Sequence, residues 1–251
     1  MSKLKNKVAI VTGASKGIGA SIAKHFAAEG AKVVVNYASS KAGADKVVQE
    51  ITEKGGTAIS VQGDVANAAD VVRLFAETKN AFGGLDVLVN NAGIYQHAPV
   101  EEVSQESFHL QFNVNVLGSY LAIQESLKLF GGKGGNIINI GSSASKFPMV
   151  TGSVYAATKA AQDAITISLS KELGVKKIRI NSILPGSTET EGTHSAGIMG
   201  SDFEKQLVAK TPLGRMGQPE DIAKAAVFIA SDEASWITGE LISVSGGIYG
   251  F

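Results

Sequence analysis

Tyr155 and Lys159 stand at i and i+4, so a helix through them carries both side chains on one face. A free phenol titrates near ~10. An ammonium beside it favours phenolate and brings that value nearer working pH. Such a tyrosine can protonate a carbonyl oxygen as hydride reaches the carbon, or accept the proton in reverse, while the lysine can also donate to ribose hydroxyls. The spacing alone is common by chance. What gives it weight is Ser142, whose hydroxyl could hold a substrate oxygen beside the phenol, and a glycine turn near the start of the chain.

These groups need elements to carry them. Short, nearly continuous apolar runs recur at Val8–Val11, Val33–Val35, Ala58–Val61, Val87–Val89, Ile137–Ile140, Ile178–Leu184 and Leu241–Val244. Strands apolar at every position are buried on both faces, the mark of a parallel sheet. Helix-length segments lie between them. Val71, Leu74, Phe75, Thr78 and Phe82 fall at helical spacing, and Gly30, Gly55, Gly83 and Gly174 stand where helices should stop. Strand and helix in alternation predict an α/β, doubly wound, Rossmann-type parallel sheet of about seven strands with helices on both faces. No linker divides residues 1–251, so one domain is expected, with a polar, glycine-dotted segment around 187–216 as a lid over substrate.

The first run ends in Thr12-Gly13-Ala14-Ser15-Lys16-Gly17-Ile18-Gly19. Glycines there make a tight turn, admit a pyrophosphate to the backbone and let helix and strand pack closely, while the helix amino end offers free N–H groups. Gly131-Gly132-Lys133-Gly134-Gly135 lacks the following Ser/Thr of a phosphate loop and reads as a surface turn. After the second run, Asn36, Tyr37, Ser39 and Ser40 should meet the adenosine ribose. An acid there would repel a 2′-phosphate. None is present and Lys16 is near, so NADP(H) is favoured, with NAD(H) the alternative. Asn90-Asn91-Ala92-Gly93 and Pro185-Gly186 close two other runs at the same rim.

On these motifs, in this order, the chain resembles the short-chain dehydrogenase/reductase family over essentially its whole length, near the β-ketoacyl carrier-protein reductases, glucose dehydrogenases and carbonyl reductases. The resemblance maps T-G-x-x-x-G-x-G onto Thr12–Gly19, N-N-A-G onto Asn90–Gly93, and the catalytic serine, tyrosine and lysine onto Ser142, Tyr155 and Lys159. It implies that Asn115 supports a proton-relay water on the lysine (Asn113 being a rival) and that Asp64 and Val65 meet adenine. It also implies that Asn91, Ala92 and Gly93 line the cofactor, and that Pro185, Gly186, Thr188 and Thr190 meet the carboxamide. A homotetramer is likewise implied. Ser245-Gly246-Gly247 departs from the family's Asp-Gly-Gly in a packing region.

The 251 residues include 44% hydrophobic and 18% charged side chains, a globular composition. A formal net charge of zero gives no basic stripe for nucleic acid. Without cysteine there is no disulfide, thiolate nucleophile or thiolate metal site. His25, His97, His109 and His194 lack ligand spacing, so no metal is expected. No run reaches the ~20 apolar residues of a membrane span, and a cytoplasmic enzyme is expected. His97 and Tyr95 read as substrate neighbours or as plain loop; His194, Met199 and Phe203 as pocket-shaping; Tyr249 and Phe251 as interface packing.

The expected reaction is therefore hydride transfer between NADPH and a ketone, either a simple carbonyl or a 3-oxoacyl group, with a glucose or sugar dehydrogenase as the alternative. A serine hydrolase would use Ser143, Asp163 and His194, which occur in hydrolase order, but its nucleophile elbow lacks the second glycine. A non-catalytic NADP-binding protein is the third reading.

Overall fold

The computed structural model describes residues 2–248. Its strands are β1 Val8–Val11, β2 Lys32–Tyr37, β3 Thr57–Gln62, β4 Val87–Asn90, β5 Gly135–Ile140, β6 Ile178–Pro185 and β7 Leu241–Val244. All seven pair in parallel in the order β3-β2-β1-β4-β5-β6-β7. The order reverses between β1 and β4, where Ala9 pairs with Val33 on one side and Val87 on the other. Loops leaving the carboxyl ends of those two strands diverge, which opens a crevice there.

Successive strand residues face opposite sides of a sheet, so continuous apolar runs feed two cores. Ala9, Val11, Val33, Val35 and Ile138 cluster with Ile22 and Phe26 of α1 (Gly17–Ala28), Val47 of α2 (Lys41–Glu53) and Ile222 of α9 (Pro219–Ala230). Ile10, Val34, Leu88, Ile137 and Ile180 cluster with Leu74 and Phe75 of α3 (Ala68–Phe82), Ile123 of α5 (Gly118–Phe130) and Leu173 of α6 (Ser153–Leu173). Val71 and Thr78 are buried on the same face of α3, and Phe82 packs against that core partly exposed.

Gly83 ends α3 in the left-handed conformation at φ 85°, its N–H donating to Lys79. Gly174 stays right-handed at φ −56° and continues into a 3₁₀ turn, so Lys177, at φ 58°, makes the reversal expected of the glycine. α4 (Gln105–Phe112) runs into α5 through a π-helical turn at Asn113–Leu117. The 131–135 glycine cluster forms a 3₁₀ turn at Gly131–Lys133 and then opens β5.

Residues 187–216 lie off the sheet as α7 (Glu191–Ser195) and α8 (Asp202–Lys210). A parallel bridge between Thr188 and Gly217 ties the base of this segment to the body. Beyond α9, Trp236, the one tryptophan in the sequence, is 99% exposed. Among the described residues no helix is long and apolar enough to cross a membrane, and no cluster of three or more His, Cys, Asp or Glu could hold a metal. Tyr249 and Phe251 lie outside the described residues.

Candidate active site

The turn between β1 and α1 is braced from three strand ends. Thr12 Oγ1 accepts the N–H groups of Asn91 and Ala92, each at 3.0 Å. The Asn91 amide donates to the carbonyls of Thr12 and Gly13 at 2.9 and 3.0 Å. Asn36 Oδ1 accepts from Gly13 N–H at 3.2 Å. A Cβ at Gly13 would lie 2.8 Å from Ala92 Cα, and one at Gly19 would lie 2.4 Å from the Asn91 amide nitrogen, so neither position admits a side chain. Ser15 reaches the first turn of α2, where a Cβ on Gly43 would lie 2.8 Å from the Ser15 carbonyl and from Ser40 Oγ. Lys16 is exposed and Ile18 packs partly buried on the core beneath. Apart from the Gly17 N–H, which bonds the Glu191 carboxylate, this is an open backbone cradle at a helix amino end, and it fits a dinucleotide pyrophosphate.

The ribose edge differs from expectation. Asn36 is buried, its amide donating to the carbonyls of Val61 and Gly63, and Tyr37 packs into the core. Both were expected at the nucleotide. In an extended strand neighbouring side chains diverge, and here both are committed to protein. Ser39 and Ser40 remain exposed there, with no acid beside them on β2. Asp64 is exposed and its Oδ1 accepts from Ala66 N–H; Val65 is buried against Gly118.

Ser142 follows β5 and caps a 3₁₀ turn, its Oγ accepting from Ala144 N–H at 3.1 Å. It shares a cavity with the phenol of Tyr155 in α6, and its hydroxyl favours the phenolate there. Lys159, one turn on, is buried, with Nζ donating to Ile140 O and to Gln162 Oε1, both at 2.9 Å, and lying 5.8 Å from the Tyr155 ring centroid. From there polar contacts run on without a break. Gln162 donates to Ser119 Oγ, and Ser119 to Asn115 O in the π-helical turn. Asn115 donates to Thr158 Oγ1, and Thr158 to Tyr155 O. Asn115 also holds Ile94 through both its N–H and its carbonyl at 2.8 Å. Asn113 is exposed, so Asn115 is the residue brought to the site. Sequence reasoning missed Gln162, Ser119 and Thr158; the signal was their polarity at core-facing helical positions.

Burial pushes the Tyr155 phenol above its ordinary value, and the Ser142 hydroxyl only partly opposes this. The lowering expected from Lys159 is therefore overturned by desolvation. Burial also depresses Lys159, to about 8, with Asp163 opposing. The Asp163 carboxyl is itself raised by burial.

Ser142 and Tyr155 line a cavity of about 120 Å³ with His97, Phe147, Met149 and Ser187. Tyr95 sets its ring edge against both Tyr155 and His97, at 6.1 Å between centroids in each case. A larger groove of about 1000 Å³ runs along α1, between the end of α2 and the start of α9, and includes neither Ser142 nor Tyr155. Pro185 ends β6 and Gly186 follows, where a Cβ would meet Ser245 at 2.9 Å. Thr188 is buried, donating to Gly186 O, and Thr190 caps α7. His194 bonds Glu189 at 2.9 Å in the exposed α7, so the hydrolase reading, which needs it beside a serine and Asp163, finds no such pairing.

Comparison with known proteins gives the same direction. A family model described as enoyl-(acyl carrier protein) reductase matches residues 13–249. An uncharacterized oxidoreductase of Methylorubrum extorquens is 56% identical over 248 residues, covering 99% of this chain and 100% of its own. A short chain dehydrogenase from Burkholderia cenocepacia, solved in complex with NADP, is similar with a TM-score of 0.91 and 35% identity over 98% of this chain and 99% of that one. A 7α-hydroxysteroid dehydrogenase, solved with NADH and 7-oxo glycochenodeoxycholic acid, gives a TM-score of 0.93 and 35% identity over 98% and 95% of the two chains.

Proposed function

Because the chain belongs to the short-chain dehydrogenase/reductase family, whose members are nicotinamide-dependent oxidoreductases, we propose that it reduces a ketone, a simple carbonyl or a 3-oxoacyl group, with NADPH. The observation that carries this reading is the pair of hydroxyls, Ser142 and Tyr155, facing one small cavity whose other walls include Phe147 and Met149. The phenol carries its proton at working pH, the form that donates to a carbonyl oxygen.

The nicotinamide supplies the hydride when bound. Tyr155 Oη holds the proton that passes to the carbonyl oxygen, and Ser142 Oγ orients that oxygen. Lys159 stands below the phenol as an ammonium and a ribose donor, and the Asn115–Ser119–Gln162 chain fixes where it stands. Gly13, Ser15, Gly17, Ile18 and Gly19 would hold the pyrophosphate side, Asp64, Val65 and Asn91–Gly93 the adenosine side, and Gly186, Thr188 and Thr190 the carboxamide. The acid-free end of β2, with Ser39, Ser40 and exposed Lys16, supports NADP(H) over NAD(H). Residues 187–216 act as the lid, and the family resemblance supports a homotetramer.

The test follows reduced-nicotinamide absorbance with NADPH and NADH separately, against a simple ketone and a β-ketoacyl thioester, with glucose assayed in the oxidative direction. NADPH-dependent ketone or thioester reduction is the expected result. Turnover confined to glucose with NAD⁺ would reject it.

A further inference from the structure

Glu191, the first residue of α7, accepts a hydrogen bond at Oε2 from the backbone N–H of Gly17 at 2.9 Å. Gly17 opens α1, so this N–H is one of those a helix leaves unpaired at its amino end. Nothing local serves it. Lys16 at the cap position makes no side-chain bond, and the first turn of α1 contains no acid. The anion comes instead from 174 residues along the chain.

Its placement is built from behind. Thr190 and Thr193 form a capping box at the start of α7. Glu189 is gripped by Gln218 and His194, each at 2.9 Å. The Thr188–Gly217 bridge anchors the strand below.

We propose that Glu191 is a resident anion of the glycine turn. It competes with the dinucleotide pyrophosphate for the amino end of α1 and so couples cofactor entry to movement of α7. The inference rests on the dinucleotide reading above. A helix amino end carries roughly half a positive charge and attracts one anion well. A second anion brought beside the first meets like-charge repulsion. Entry of the pyrophosphate therefore displaces the carboxylate and releases the side-chain tie that Glu191 makes between α7 and the glycine turn, which frees α7 to move. The movement is felt at the substrate. A Cβ on Gly192 would lie 3.1 Å from the Tyr95 hydroxyl, and the Tyr95 ring edges Tyr155. Cofactor occupancy thus reaches the wall of the reacting pocket through one side chain.

Two variants of the full chain test this, Glu191→Gln and Glu191→Ala. Calorimetric titration with NADPH and NADH is made at low and high salt, and hydrogen exchange over residues 187–216 is followed without nucleotide. Both variants are expected to bind NADPH about two- to ten-fold more tightly than wild type at low salt. The difference narrows at high salt, where exposed charges are screened. Exchange through α7 is faster in Glu191→Ala than in wild type. Unchanged or weaker binding in both variants overturns the proposal, as does wild-type exchange in the alanine variant. A wild type that binds neither NADPH nor NADH overturns the functional reading together with this inference, so the two failures are distinguishable.

Discussion

Three influences act on the proton of Tyr155: burial and the neighbouring Tyr95 hold it on, and the Ser142 hydroxyl stabilises its departure. Tyr155→Phe removes the proton donor and keeps the ring, and so should lower kcat on the order of 10²–10⁴-fold with NADPH affinity nearly unchanged, as rapid-mixing and titration would read. Lys159 supplies the pH dependence. Buried down to about 8, it is an ammonium below that pH and neutral above it. The kcat/KM for reduction should therefore hold on the acid side and decline as pH rises through about 8. The i, i+4 pairing was legible in the sequence because helical geometry is local. The direction of the phenol's shift was not, because the surroundings that desolvate it bring together the Tyr95–His97 loop and the Ser142–Met149 loop, which no short spacing encodes.

Among elements, the glycine turn is rigid because side chains from neighbouring strand ends hold it. Asn91→Ala deletes two hydrogen bonds to the turn's carbonyls and should cost about 1–3 kcal/mol of stability, seen as a lower denaturation midpoint together with weaker NADPH binding. A loss of stability with full affinity would count against the brace. The strands were legible as apolar runs, since both faces of the sheet are buried. The β2 edge was misread because Val33–Val35 extends to Tyr37, and residue parity then sends Tyr37 inward and Asn36 to the turn. The helices of the lid were not legible: α7 has five residues and carries no apolar stripe, and it is held by threonine capping and by Glu189. Nor was the π-helical turn, whose extra residue shifts register without a compositional mark.

At the scale of the molecule, strand order decides where chemistry can occur. The reversal between β1 and β4 brings Gly13 and Asn91 together, and β5 delivers Ser142 to the same rim as α6 delivers Tyr155. The single tryptophan lies away from this rim, past the end of α9, with its indole almost wholly in water. Intrinsic emission therefore starts red and has little further to move on denaturation, so it is a poor monitor of unfolding. It is instead an optical gauge of association. Emission bluer than that of a water-exposed indole would mark Trp236 as covered by another subunit, and red emission at every concentration would leave the indole outside any assembly contact.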